Sequence, residues 1–293
     1  MSADPSRPAP RRRTGADALR LAVGTLTVLP TRPPQVVDRR VASWAMTLAP
    51  LVGAALAVVA GGFLWLLGWA GYGLPQPGDL LPAALGGWQV SPLLAAALTI
   101  GLLALLTRAM HLDGLADTAD GLGSGKPADK ALEVMRRGDI GPFGVITLVL
   151  VLLVQVGALA EILVRGIGFT GVLLALVASR LALPLLCAQG VPPARQDGLG
   201  RVVAGTVSRS RLALSATGAI VLLAPFGLLS LGAAVFDVAA VARVVVVAGL
   251  ALGAAALLAR RATRRLGGIT GDVLGAAVEI TFTVALVVLA LLT

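Results

Sequence analysis

Long apolar blocks alternate with short polar segments along almost the whole chain. A helix crosses a bilayer with about 17–25 predominantly apolar residues. Blocks near 43–70, 91–110, 143–164, 168–187, 212–234, 241–259 and 272–292 meet that length. They are continuous rather than alternating, which predicts helices and not the strands of a membrane barrel. The expected fold class is therefore all-α: a polytopic helical integral membrane protein with about seven transmembrane helices. The first block is long enough to tilt, or to hold a kink at Pro50. Only "RGIG" separates the third block from the fourth, so those two are expected to form a tight helical hairpin. Ahead of the spans, residues 1–20 ("MSADPSRPAPRRRTGADALR") are rich in Pro and Arg and read as a disordered cytoplasmic tail. The following "LAVGTLTVLP" is too short to span and reads as an interfacial or re-entrant piece. Residues 21–293 then make up a single helical membrane domain.

Composition sharpens the class. Of 293 residues, 57% are hydrophobic and 13% charged, about half the charge of an ordinary soluble domain. Mean hydropathy is +0.91. The net charge of +9 does not point to nucleic acid, because the basic residues sit between apolar runs, where membrane orientation explains them. The N-terminal segment carries Arg11, Arg12, Arg13, Arg20, Arg32, Arg39 and Arg40, and the segment 71–90 carries none. Residues 108–142 hold Arg108, Lys126, Lys130, Arg136 and Arg137, but the next turn has only Arg165. Loop 188–211 is basic again, the loop after it has no basic residue before Arg243, and Arg260, Arg261, Arg264 and Arg265 follow. The alternation puts the N-terminus inside and the C-terminus outside. It also puts "HLDGLADTADG", "RRGDIGPFG", "ARQDGLG" and "GGITGD" on the cytosolic side. That is the pattern of an enzyme working at the cytosolic edge of the membrane. A transporter more often keeps its ionisable groups near the midplane. The single Cys187 excludes an internal disulfide and a Cys-based zinc site. His111, also single, leaves no second His for a His-rich metal site.

Candidate chemistry concentrates in "HLDGLADTADG", residues 111–121. If the preceding span continues as a helix, Asp113, Asp117 and Asp120 are spaced i, i+4, i+7, within roughly 60° of one another on one face. His111 points to nearly the opposite side. Three carboxylates on one face repel unless a cation neutralises them. Hard oxygens suit Mg²⁺ or Mn²⁺, and Mg²⁺ commonly shares its shell with substrate phosphates. Gly114 and Gly121 would let a phosphate or a backbone approach closely. The bland alternative is a solvated acidic helix end. In "GGITGDVLGAAVEITF", Asp272 and Glu279 share a face of the last span, and Glu279 lies about 10 Å deeper. An acid at that depth belongs in the protein interior, protonated or paired. Arg180, about two turns inside its span, either reaches a phosphate at the interface or pairs with Glu279. Glu161, near the far end of its span, reads as structural.

These segments together resemble the adenosylcobinamide-GDP ribazoletransferase, or cobalamin synthase, family. The resemblance rests on "HLDGLADTADG", "EVMRRGDIGPFG" (133–144), "ASRLA" (178–182), "ARQDGLG" (194–200) and "GGITGDVLGA" (267–276), in that order, with "LTVLPTRPP" as a similar opening segment. Where members of that family carry a D-S-R-I-G type sequence, this chain has Arg137-Gly138-Asp139-Ile140-Gly141, with acid and base exchanged in position. The resemblance implies the last assembly steps of cobalamin. A ribose hydroxyl of α-ribazole, or of its 5′-phosphate, attacks adenosylcobinamide-GDP, with Mg²⁺ as cofactor and GMP leaving. On that reading Asp113, Asp117 and Asp120 hold the metal, and one of them or Asp139 accepts the proton. His111, Gly114, Gly121, Arg136, Arg137, Arg180, Arg195 and Asp272 contact substrate. Expected partners are the two small-molecule substrates, membrane lipid, and a second copy of the chain or other cobalamin-assembly enzymes; the expected location is the bacterial cytoplasmic (inner) membrane. A CDP-alcohol phosphotransferase also uses a membrane-edge aspartate cluster, but its Ala-Arg spacing after the Asp-Gly is missing here. A cation-coupled transporter would use Asp113, Asp117, Glu279 and Arg180 as a conduction path, without an evident inverted repeat to support it.

Overall fold

A computed structural model describes residues 14–71, 90–229 and 238–293. The described residues are helical, with two isolated backbone bridges and no strand. Twelve helices follow in order: α1 (Thr14–Leu26), α2 (Arg39–Thr47), α3 (Ala49–Gly71), α4 (Pro92–Leu106), α5 (Met110–Gly123), α6 (Ala128–Val134), α7 (Pro142–Val164), α8 (Gly168–Leu186), α9 (Gly198–Val203), α10 (Arg209–Leu229), α11 (Val238–Leu266) and α12 (Gly271–Leu292). Local chemistry starts several of them. Asp38 accepts from Val41 N–H at the head of α2, Ser91 accepts from Leu94 N–H ahead of Pro92 in α4, and Thr270 accepts from Val273 N–H in α12.

Among the described residues, five helices are long and apolar enough to cross a membrane: α3, α7, α8, α11 and α12. A sixth span exists if α4 and α5, bent by 90° at their break, count as one. Seven were expected. The shortfall has two sources. The expected span at 212–234 runs beyond Leu229, where the described part of α10 ends. The block at 91–110 does not continue into the aspartate segment: Arg108 and Ala109 turn the chain at φ of 54° and 52°. The Arg108 guanidinium donates to the Gly24 and Thr27 carbonyls, and Val28 N–H donates to the Leu106 carbonyl at 2.7 Å, so the break is tied to the end of α1. The first block also breaks, at Leu48, which puts Pro50 in the first turn of α3, where proline is tolerated. The hairpin between α7 and α8 turns through Gly166 at φ +73°, as "RGIG" suggested.

Burial ranks the helices. In α8, 78% of the most apolar window is buried, against 17% in both α7 and α11, so α8 is the central post. Val149, Leu150 and Leu153 of α7 and Val245 and Leu250 of α11 are exposed. Such apolar faces are costly in water and natural in lipid. The tail expected at 1–20 is partly corrected: residues 14–20 are helical in α1, where buried Asp17 accepts from Gln35 N–H and Arg20. Residues 1–13, and most of the segment 71–90, lie outside the described residues.

All four polar motifs meet at one end of the bundle. Arg136 reaches Asp197, Arg195 reaches Asp272 and the Leu132 carbonyl, and Arg265 reaches the Lys126 carbonyl. At the other end Arg165 bonds the Ala290 carbonyl and Thr293 Oγ1 and pairs with Glu161. Across the polar end lies α5, against the first turns of α7 and α12. Buried Asp120 joins α5 to α7: the Gly141 and Gly144 N–H groups donate to its two oxygens at 2.7 and 2.9 Å. These are orphan donors of a helix N-terminus, satisfied by a charged acceptor. Both glycines are required for the approach, because a Cβ at either would meet the carboxylate closer than any real contact. Asp120→Ala is expected to lower stability by about 2 kcal/mol through loss of these bonds. The measurement is the melting temperature of the detergent-solubilised protein, and an unchanged melt would show that α7 does not depend on this cap.

Candidate functional site

The site is built where two loops and one helix close on the start of α12. The loop after α8 and the loop before α12 are zipped by backbone, with Ala194 N–H donating to the Ile269 carbonyl at 2.9 Å and Ile269 N–H to the Pro192 carbonyl at 3.0 Å. Gly200 sits so close to Ile269 and Thr270 that a Cβ would lie 2.7 Å from the Ile269 carbonyl oxygen. On the other side α5 packs backbone to backbone on α12. A Cβ at Gly114 would lie 2.8 Å from the Asp272 carbonyl oxygen, and one at Gly275 would lie 3.2 Å from His111 Cα. Between them opens a cavity of about 250 Å³ whose wall includes Asp113, Arg195, Asp197, Thr270, Gly271 and Asp272.

The electrostatics are those of crowded acid beside one guanidinium. Asp113 is exposed and Asp117, one turn on, is half-buried. Burial pushes the Asp117 carboxyl up to about 6, with the carboxylates of Asp113, Asp272 and Asp120 adding to the rise and Arg195 opposing it. A cation among these oxygens would reverse that shift, since it favours the charged form. Arg195 is mostly covered, donates to the Leu132 carbonyl at 2.9 Å, and stands 3.8 Å from Asp272; its Nε is buried without a partner. Thr270 Oγ1 donates to Asp272 Oδ2 at 3.1 Å. The first residues of α12, Gly271 and Asp272, line the same space, and a helix N-terminus favours anions.

The structure sorts the residues expected from the sequence. Asp113, Arg195 and Asp272 line the cavity, and Asp117 is coupled to them. Asp120 shares their helix face, yet its oxygens are turned to α7. Gly114 and Gly121 are packing positions, against the Asp272 backbone and the Met135 side chain, in place of the substrate contact expected for them. His111 is buried against α12 with neither ring nitrogen hydrogen-bonded, so it is shielded from the cavity. Arg136 reaches the cavity rim through Asp197, while Arg137 turns away to Glu133 at 3.3 Å. Asp139 is exposed and outside the cavity wall.

Arg180 is also absent from this wall. It is buried in the bundle, donates to Ser179 Oγ at 2.9 Å, and shares a separate cavity of about 20 Å³ with Glu279 and Gln155. Gln155 Nε2 donates to Glu279 at 2.9 Å. The interior position expected for Glu279 is therefore found, and Arg180 is interior as well, bonded to Ser179 and not in an ion pair with Glu279.

Sequence reasoning passed over Asp197, Thr270 and Gly271 as site residues. The signal for them was the pair of Gly-rich motifs "ARQDGLG" and "GGITGD", whose glycines permit the backbone zipper. Among the described residues, no three His, Cys, Asp or Glu side chains form a ready-made metal cage. The donor set nevertheless fits a hard cation: Mg²⁺ is usually held by one or two carboxylates plus substrate phosphates, and Asp113 and Asp117 offer such a pair one helical turn apart. The α5–α12 contact is the element most exposed to test. Gly114→Ala is expected to force the helices apart, costing about 1–3 kcal/mol and most of the activity. A variant with wild-type melting and turnover would show that the close approach is dispensable.

Comparison with known proteins adds an independent line. The family model described as cobalamin-5-phosphate synthase matches residues 18–290. An adenosylcobinamide-GDP ribazoletransferase of Frankia casuarinae is 42% identical over 277 residues, covering 93% of this chain and 94% of its own length. Proteins of the same name from a Nocardioides species and from Stutzerimonas stutzeri are 39% and 38% identical, covering 92% and 93% of this chain and 96% and 97% of their own. No solved structure matches at a significant level. With nearly every described helix inside the matched span, and the relatives aligned over almost their full length, the chain belongs to the cobalamin-5-phosphate synthase family.

Proposed function

We propose that this chain is an adenosylcobinamide-GDP ribazoletransferase, which joins adenosylcobinamide-GDP to α-ribazole, or to its 5′-phosphate, and releases GMP. The product is adenosylcobalamin or its 5′-phosphate. The observation that carries the reading is the cavity wall. Carboxylates and a mostly covered guanidinium face each other at a helix N-terminus, at the polar end of a membrane bundle. A nucleotide pyrophosphate needs that combination. Arg195 and the first N–H groups of α12 bind its oxygens. The ribose hydroxyl attacks the phosphorus nearest the cobinamide, the bond from that phosphorus to the GMP oxygen breaks, and GMP departs. The hydroxyl proton passes to the remaining cavity carboxylate, Asp272. Mg²⁺, held by Asp113 and Asp117, would supply charge neutralisation of the pyrophosphate and the leaving group.

The reading includes an orientation. Lys126, Lys130, Arg201, Arg209 and the four arginines at the end of α11 lie at the end that carries the site, whereas Arg165 lies at the other. The excess of Lys and Arg makes the site's end cytosolic, in a bacterial cytoplasmic membrane.

Purified protein supplied with adenosylcobinamide-GDP, α-ribazole and Mg²⁺ is expected to form corrinoid product and GMP in equal amounts. Chelation should stop the reaction and added Mg²⁺ restore it. Folded protein that forms no product would overturn the assignment. Asp117→Asn is expected to lower kcat by about 100-fold or more with an unchanged melt, and wild-type turnover in that variant would remove Asp117 from the site. For orientation, Lys126→Cys should react with an impermeant maleimide only after the cells are opened, since Cys187 is buried. Labelling of intact cells would reverse the topology.

A further inference from the structure

At the rim of the cavity one contact differs in kind from the rest. Arg136, just after α6, donates from a single Nη2 to both oxygens of Asp197, at 2.7 and 2.6 Å. The two side chains are 53% and 64% exposed, although the contact joins residues 61 apart in the chain. Asp197 occupies the N-cap position of α9 with extended backbone, where an aspartate ordinarily accepts from the next turn, and it makes no such bond. Its carboxylate is committed to Arg136 instead, and it also forms part of the cavity wall. Two residues earlier, Arg195 ties the same loop to the end of α6 through the Leu132 carbonyl, from a mostly covered position. The loop is thus held firmly at Arg195 and loosely at Asp197.

Resting on the function proposed above, we propose that Arg136 and Asp197 form a strap that the substrate's pyrophosphate opens. Arg136 exchanges the Asp197 carboxylate for a phosphate oxygen. It is a substrate-positioning residue, and Asp197 is its counterion in the empty enzyme. An exposed ion pair is worth at most about fivefold in an equilibrium. A guanidinium–phosphate contact is charge-assisted and stronger, and it draws on more than one anionic oxygen. The exchange therefore runs downhill when the nucleotide arrives. The strap also limits affinity. While Asp197 holds Arg136, the substrate must displace a carboxylate before it gains the guanidinium.

Opposite-signed kinetics test this. Asp197→Asn, which frees Arg136, is expected to lower KM for adenosylcobinamide-GDP by about threefold to fivefold. Arg136→Ala should raise that KM by about tenfold, and Arg136→Lys should recover part of the loss. The double variant Arg136→Ala/Asp197→Asn should match Arg136→Ala alone, because Asp197 acts only through Arg136. KM for α-ribazole should stay within twofold throughout, and the melting temperatures should stay unchanged, since both side chains are exposed. A rise in KM or a fall in kcat for Asp197→Asn would make Asp197 a direct participant and overturn the strap. So would additive effects in the double variant. Wild-type protein without turnover would instead fail at the proposed function, and the strap would fall with it.

Discussion

The site depends on one steric constraint, the backbone contact of α5 with α12 at Gly114 and Gly275. Ordinary helix pairs keep their axes 8–10 Å apart because side chains fill the space between them. Here glycine on each helix removes that spacer, and the Asp272 backbone comes to rest on Gly114. The consequence is chemical as much as mechanical. Asp113 and Asp117, placed by the helical repeat of α5, come within electrostatic reach of Asp272 at the head of α12. The contact thus brings carboxylates from both helices to one place.

That assembly creates a repulsion, and the surrounding groups show how it is contained. Asp120 would have been a further free carboxylate, but two backbone donors at the start of α7 occupy it. Arg195 offsets Asp117 and Asp272 from the opposite wall. What remains is a carboxylate pair of the kind that Mg²⁺ and a phosphate together satisfy. The charges deeper in the bundle are kept out of this balance. Glu279 is held by Gln155, and Arg180 by Ser179, in a cavity too small for a nucleotide. This separation favours an enzyme of the cobalamin-5-phosphate synthase family over a conduit through the membrane, for which Arg180 and Glu279 would have to join the outer aspartates.

Hydropathy made the membrane class, the spans α3, α7, α8 and α12, and the gathering of the four polar motifs at one end legible before any coordinates. The helical register of the aspartates was legible too, because spacing of i, i+4, i+7 has one meaning on a helix. The 90° break before that helix was not. It is made by Arg108 and Ala109 at positive φ, a conformation that no residue preference advertises outside glycine. The break separates the aspartate helix from the span before it, and nothing in the i, i+4, i+7 spacing told that Asp120 would be bound by the start of α7. The glycines were recognised as sites of close approach, but sequence does not say what approaches; at Gly114 and Gly121 it was protein. Arg180 lay two turns inside a span, compatible with either end of its long side chain's reach, and only packing decided for the interior.

The layering of contacts around the cavity follows from how far each is removed from water. Backbone bonds between the two loops, the Asp120 cap and the Arg195 bond to Leu132 are wholly or partly shielded, so breaking any of them leaves a desolvated group without a partner. They define a floor that keeps its shape. At the rim both side chains of the Arg136–Asp197 ion pair are more than half exposed. Water replaces their partners at little cost. The cavity therefore combines a compliant entrance with a rigid floor. Solvent exposure distributes the two properties in that order, without requiring a dedicated hinge.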